Sequence, residues 1–251
     1  MVNRSRNVFI TGGTGKIGAV LVKKMIADGH RVIFTSTSEE KANSLISEIK
    51  TSNKALSYVL MKLNDSFDLE KCINSIPINI DAIIHNARDL STLKIEENGT
   101  SSRLNIISEF KIGVVYPYLI NNILMNRGDS LRDIIFISSM YGSVAPNKNL
   151  YQELNQQSPI QYGIAKAAQL HTVKELAVRL SEHSIRVNAI SYGGVGGRAP
   201  EEFVDKYSKL CPSGRMLNES DLYPGIQLLL NNQSLDMTGE NIKIDGGWTI
   251  W

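Results

Sequence analysis

Three side chains of this sequence have the types and spacing of one acid–base apparatus: Ser139, Tyr162 and Lys166. The segment Asp133-Ile134-Ile135-Phe136-Ile137 is apolar and β-branched without alternation, which predicts a strand buried on both faces. It runs into Ser138-Ser139, so hydroxyls stand at the carboxyl end of a strand, where an open α/β sheet binds its ligands. Pro159 opens a predicted helix on which Tyr162 and Lys166, one turn apart, share a face. A phenol is a weak acid near neutrality, and an ammonium one turn away favours its phenolate. A serine hydroxyl can then hold a carbonyl oxygen while the tyrosine gives or takes the proton. A Tyr-x-x-x-Lys pair arises by chance on many amphipathic helices, so this reading depends on the elements that would position it.

Those elements alternate along the chain. Asn7-Val8-Phe9-Ile10 predicts a short buried strand, followed at once by Thr11-Gly12-Gly13-Thr14-Gly15-Lys16-Ile17-Gly18. A helix with apolar Ile17, Val20, Leu21, Met25 and Ile26 comes next and stops at Gly29. Strand, glycine turn and helix in that order form a dinucleotide-binding context, which makes Gly12, Thr14, Gly15, Lys16, Ile17 and Gly18 candidate phosphate-binding residues. The next strand, His30–Phe34, ends in Thr35-Ser36-Thr37-Ser38 with no acidic residue for a ribose 2′-hydroxyl. Ser36 and Thr37 with Lys16 are suited to a 2′-phosphate, a lean toward NADP over NAD; Ser38 reads equally well as the cap of a helix beginning at Glu39.

Further strands are predicted at Leu56–Leu60, before Lys62-Leu63, and at Ile80–Ile84, before His85-Asn86-Ala87-Arg88. Ile185–Ile190 leads into Tyr192-Gly193-Gly194-Val195, and Asn241–Ile244 comes last. Predicted helices cover Leu69–Ile76, Ser101–Met125 with a break at Pro117, Pro159 to about Ser181, and Glu219–Asn231. An insertion spans Val144–Ser158, and the stretch Arg198–Met216 reads as a flexible substrate lid within 195–217. Strands alternating with helices throughout imply a doubly wound parallel sheet.

Composition narrows the function. The 251 residues carry 27 basic and 25 acidic side chains, a formal net charge of +2, with no basic block suited to nucleic acid or a membrane surface. No composition break or linker divides the chain, so one domain is expected. No apolar run has the length of a membrane span, and Met1–Arg6 lacks a signal-peptide pattern, so a cytoplasmic protein is expected. Cys72 and Cys211 stand far apart, and no His or carboxylate spacing suggests a metal site. The glycosylation patterns at Asn98, Asn218 and Asn232 are read as chance.

Taken in order, these motifs resemble those of the short-chain dehydrogenase/reductases over essentially the full chain. Thr11-Gly12…Gly15…Gly18 is similar to the family's glycine turn, Asn86-Ala87 to its Asn-Asn-Ala-Gly segment, and Ser139 with Tyr162 and Lys166 to its active site. Asn188-Ala189-Ile190 resembles the strand before its Pro-Gly turn, and Thr238-Gly239 with Asp245-Gly246-Gly247 its C-terminal signature. The resemblance implies a Rossmann fold with seven parallel strands, a nicotinamide cofactor, a small-molecule substrate, and a homodimer or homotetramer. It implies that Tyr162 is the acid/base, that Lys166 tunes it and binds the nicotinamide ribose, and that Ser139 orients the substrate. Leu63, Asn86, Ala87, Tyr162, Lys166, Tyr192, Gly193 and Val195 join the glycine turn, Ser36 and Thr37 as cofactor contacts. A narrower resemblance rests on Ser138–Gly142, Val144–Pro146, Ser191–Val195 and Leu210–Leu217. These are similar to oxidoreductases of flagellin modification and nonulosonic-acid pathways, which implies a sugar or sugar-derived substrate.

The departures from the family pattern leave alternatives open. Lys16 stands at the usual middle glycine, Lys62 at an acidic adenine contact, and His85 and Arg88 at an asparagine and a glycine. Gly113 falls where the family has the asparagine of its proton relay, and Tyr192 where it has proline. An anionic substrate or NADP would use the added positive charge; alternatively, the site has drifted and the protein is a catalytically weak nucleotide-binding partner or sensor. Within the enzyme class, a 3-oxoacyl-type ketoreductase competes with the sugar-linked oxidoreductase.

Overall fold

The computed structural model describes residues 5–51, 54–231 and 236–251; the sequence pattern at Asn232 lies outside them. Seven strands form one parallel sheet: β1 Asn7–Ile10, β2 Arg31–Ser36, β3 Leu56–Leu60, β4 Ala82–His85, β5 Asp133–Ser139, β6 Arg186–Tyr192 and β7 Asn241–Ile244. Their order is β3-β2-β1-β4-β5-β6-β7. The chain winds outward from β1 in one direction, then returns to start again at β4. Loops after β1 and β4 therefore diverge to opposite faces and open a crevice at the carboxyl edge, the expected dinucleotide position of a Rossmann sheet.

Alternation within each strand assigns the two cores. Val8 and Ile10 of β1 face one side with Val32, Phe34, Ile84, Ile135 and Ile190. They pack against α1 (Lys16–Ala27), α2 (Glu39–Ile49) and α9 (Pro224–Leu230), through Leu21, Met25, Leu45 and Ile226. Phe9, Ile33, Ile83, Ile134, Phe136 and Val187 face the other side. There they meet α3 (Leu69–Asn74), α5 (Tyr116–Asn126) and α7 (Ile160–Arg179), through Ile73, Ile120, Leu124, Val173 and Leu176. Because both faces are covered, β5 is buried along its whole length, which is why its sequence shows no alternation.

Three local expectations change in the folded chain. The helix expected over Ser101–Met125 is α4 (Arg103–Phe110), a π-helical turn at Lys111–Val115, and α5. Pro117 sits in the first turn of α5, where its missing N–H is tolerated, and the widened turn precedes it. The helix expected from Glu219 is a 3₁₀ turn, Glu219–Asp221, closed by a capping box between Asn218 and Asp221; α9 begins only at Pro224. The stretch Arg198–Met216, read as flexible, carries α8 (Glu201–Leu210). Tyr207 is buried against Trp248, with ring centroids 4.4 Å apart and stacked, so an aromatic contact holds the segment down. The short helix α6 (Leu154–Gln157) lies in the predicted insertion, and Gln152 reaches Glu202 of α8. No helix of the described residues is long and apolar enough to cross a membrane.

Candidate active site

The turn after β1 is shaped for close approach of backbone. Gly12 has φ +69°, and a Cβ there would lie 2.8 Å from the Cα of Ala87; a Cβ on Gly18 would lie 2.2 Å from the Gly12 carbonyl oxygen. Asn86 locks this turn to the end of β4, its Nδ2 donating to the carbonyls of Thr11 and Gly12, each at 3.1 Å. The Thr11 hydroxyl accepts from the backbone of Asn86 and of Ala87, each at 3.0 Å. Helix α1 is preceded by Gly15, which offers no side chain to its first N–H groups, and no acid stands in its first turn. Unpaired donors at a helix N-terminus favour an anion, so the cradle fits a pyrophosphate. Ile17 packs into the core beneath.

The residues at the end of β2 behave differently from their reading in sequence. Thr14 and Ser36 do meet, with hydroxyls 3.0 Å apart, but Ser36 also donates to the Ser38 carbonyl and accepts from the Ser38 N–H. Thr37 is exposed, and Ser38 caps α2 by accepting from the Lys41 N–H at 3.3 Å. Lys16 does not join them. Its ammonium donates to the Gly196 carbonyl beyond β6, bridging the crevice from the glycine turn to the loop before α8. This removes the cation that the sequence placed beside a 2′-phosphate.

At the other side of the crevice, β5 and α7 build the proton-handling group. Ser139 ends β5 and is 5 % exposed; its Oγ accepts from the Tyr141 N–H at 3.2 Å. Lys166 reaches back under the strand and donates to the Ile137 carbonyl at 2.7 Å and to Gln169 Oε1 at 3.2 Å. The Ser138 hydroxyl donates to the Lys166 carbonyl at 3.4 Å. Tyr162 lies half-buried one turn before Lys166, whose ammonium is 5.8 Å from the ring centroid. Over the same ring sits Arg88, its guanidinium carbon 4.1 Å from the centroid. Burial first, and the Arg88 charge second, bring the Lys166 pKa down to about 7, against an opposing pull from Glu109.

Gln169 is the residue that sequence reasoning missed. Pro117 has no N–H to offer the carbonyl four residues before it, that of Gly113, and the buried Gln169 amide donates to that carbonyl at 3.1 Å. Lys166 is thereby tied to the broken helix through a side-chain amide. A polar residue three positions after Lys166 on the same helix was the available signal.

His85, which replaces an asparagine in the family pattern, is buried against Phe136, with ring centroids 4.8 Å apart. Its Nε2 bonds Asn121 Oδ1 at 2.8 Å, and burial pulls its pKa down to about 4. Burial therefore keeps the imidazole neutral near pH 7. Leu63 lines the narrow cleft beside Thr11, His85 and Ala87. Past β6, Gly193 donates to the Ile244 carbonyl at 2.9 Å, and Val195 bridges to Leu217. The Tyr192 side chain is not presented to the crevice: it is 3 % exposed in the core and donates to the Leu222 carbonyl. Among the described residues no group of His, Cys, Asp or Glu is placed to hold a metal ion.

The chain is similar to known proteins over nearly its whole length. The family model described as Enoyl-(Acyl carrier protein) reductase matches residues 14–249. The chain is 26% identical to the post-translational flagellin modification protein A of Campylobacter coli, over 97% of this chain and 98% of that one. It is 30% identical to a sorbose reductase of Candida albicans, over 96% and 85% of the two chains. Among solved structures, a short-chain dehydrogenase from Leptospira borgpetersenii with bound NAD+ superposes with a TM-score of 0.81, at 26% identity, covering 98% of this chain and 93% of that one. With the glycine turn at β1, the Asn86 lock and the Ser139, Tyr162 and Lys166 group at β5 and α7, the match over nearly the whole length places this chain in the short-chain dehydrogenase/reductase family.

Proposed function

We propose that the protein is an NAD(P)-dependent oxidoreductase that interconverts a carbonyl and a secondary alcohol on a sugar or sugar-derived substrate. The observation that carries this reading is that Lys166, one turn from Tyr162 on α7, is bonded to Ile137 and Ser138 at the end of β5, the strand that Ser139 terminates. When bound, the nicotinamide supplies or accepts the hydride. Ser139 holds the substrate oxygen, and Tyr162 gives it a proton in reduction or removes one in oxidation. Lys166 holds ribose hydroxyls and keeps positive charge beside the phenol. Gly12, Gly15, Gly18 and the first N–H groups of α1 receive the pyrophosphate, with Asn86 and Ala87 closing the turn. The segment from Val195 to Leu217, held by Tyr207 on Trp248, forms the substrate lid. Similarity to a sorbose reductase supports a sugar-linked substrate, and the acyl-carrier description of the matching family model makes a 3-oxoacyl-type ketoreductase the alternative.

Calorimetric titration of the purified protein with NAD, NADH, NADP and NADPH tests the reading. Micromolar binding of the NAD or the NADP pair is expected. No binding of any of the four by folded protein sinks the assignment.

The same helices carry an apolar stripe that supports self-association. Leu104 of α4 is 72 % exposed, and Ile160 and Ile164 of α7, one turn apart, are 64 % and 51 % exposed. Leu104, Ile160 and Ile164 lie on helices that pack together, and covering their exposed apolar surface favours a homodimer or homotetramer. Sedimentation velocity at micromolar concentration is expected to show such an oligomer; a single monomeric species overturns it.

A further inference from the structure

Arg88 carries hydrogen-bond donors that no other described residue engages. It contacts Tyr162 through the ring face, and a contact of that kind satisfies none of the guanidinium's five N–H donors. Among the described residues no carbonyl or carboxylate accepts from them. The neighbouring acids are committed elsewhere. Asp89 accepts from the backbone N–H and the hydroxyl of Ser91, both at 2.8 Å, and the buried Glu109 accepts from the Thr92 hydroxyl. A charge of like sign shares the ring: the Lys166 ammonium is 5.8 Å from the same centroid. Two cations thus flank one phenol, and the one at the surface keeps its hydrogen-bonding fork free.

We propose that Arg88 is the receptor for an anionic group, a carboxylate or a phosphate, carried by the substrate whose carbonyl or alcohol carbon meets Tyr162. This rests on the oxidoreductase reading above and adds the charge class of the substrate. A guanidinium matches an oxyanion in two-pronged geometry, and stacking on Tyr162 has already removed part of its freedom, so less is lost on binding. The anion would neutralise a repulsion that a neutral sugar leaves in place. The fork also fixes the substrate's distance from the phenol, selecting among hydroxyl or keto positions along a sugar chain. Arg88 is exposed, so water screens the attraction and the expected selectivity is moderate.

Three probes that differ in charge test this: gluconate, glucitol 6-phosphate and glucitol, each titrated calorimetrically into protein saturated with its reduced cofactor. At least one anion is expected to bind about 10-fold tighter than glucitol, and comparing the two anions tells carboxylate from phosphate. Arg88→Ala is expected to remove that preference, Arg88→Lys to keep part of it, and cofactor affinity at pH 6, where Lys166 is protonated with or without the Arg88 charge, to stay within about 2-fold in both. Equal binding of all three probes, undetectable binding of both anions, or a preference that survives Arg88→Ala overturns the proposal. A parallel loss of cofactor affinity in Arg88→Ala also overturns it, by assigning the guanidinium to the cofactor. Failure of the wild type to bind any nucleotide sinks the oxidoreductase reading and the proposal together; cofactor binding without charge discrimination sinks the proposal alone.

Discussion

Tyr162→Phe is expected to lower turnover about 10³-fold on any substrate the wild type accepts, the scale of a lost positioned acid–base group. Everything else at the site should survive. The ring remains for Arg88 to stack on, Lys166 keeps its bonds to Ile137 and Gln169, and no described residue bonds the lost hydroxyl, so no polar partner is stranded. The folded state and the cofactor dissociation constant should therefore match those of the wild type. Measuring both alongside spectrophotometric hydride transfer separates a chemical role from a structural one. Undiminished turnover in this variant would remove Tyr162 from the reaction.

Lys166 should impose a pH dependence on cofactor binding. Its ammonium already spends two donors, on the Ile137 carbonyl and Gln169 Oε1. A third donor, for a ribose hydroxyl, exists only while the nitrogen is protonated, because a neutral amine has two N–H groups. Burial and the Arg88 charge bring the pKa in the free protein down to about 7. Below that pH the ammonium is present before the cofactor arrives, and affinity should be flat. Above it, binding must draw a proton from solution, so affinity should fall by up to about 10-fold per pH unit until the pKa of the complex is reached. Calorimetry in buffers of different ionisation enthalpy should register this proton uptake at pH 8. Lys166→Met should abolish both the uptake and the slope, and lower turnover by about 10²-fold or more. Affinity that is constant from pH 6 to 9 with no buffer dependence is the contrary result.

The two expectations differ in what the sequence could say about them. Tyr162 and Lys166 were legible as a pair because helical periodicity alone puts residues four apart on one face. The strand ending at Ser139 was legible because burial on both sides leaves an unbroken apolar run. Nothing in sequence distance places Arg88 over Tyr162, since β4 and α7 are brought together only by the sheet order and the packing of α4 and α7 beneath it.

The same division holds at the cofactor crevice. Glycines at 12 and 18 announce a tight turn from residue type, because only a missing Cβ permits those approaches to Ala87 and to the Gly12 carbonyl. Lys16 was read as a partner of Ser36 and Thr37, but a flexible side chain with a compact charge goes to whichever acceptor lies within reach. In the fold that acceptor is the Gly196 carbonyl. The resemblance implies a cofactor contact at Tyr192; the pleat turns its side chain into the core, where its hydroxyl donates to the Leu222 carbonyl. Gln169 went unread because its importance depends on a carbonyl freed by Pro117 on another helix.

By itself, then, the amino-acid order determined the parallel α/β sheet, the glycine turn and the Ser139, Tyr162 and Lys166 set, all of which follow from local periodicity and backbone sterics. Only the tertiary structure decided where the long polar side chains of Lys16, Arg88 and Gln169 end. Their partners are fixed by contacts between segments far apart in the chain, and a hydrogen-bonding or charged group several bonds from its backbone follows those contacts, not its neighbours in sequence.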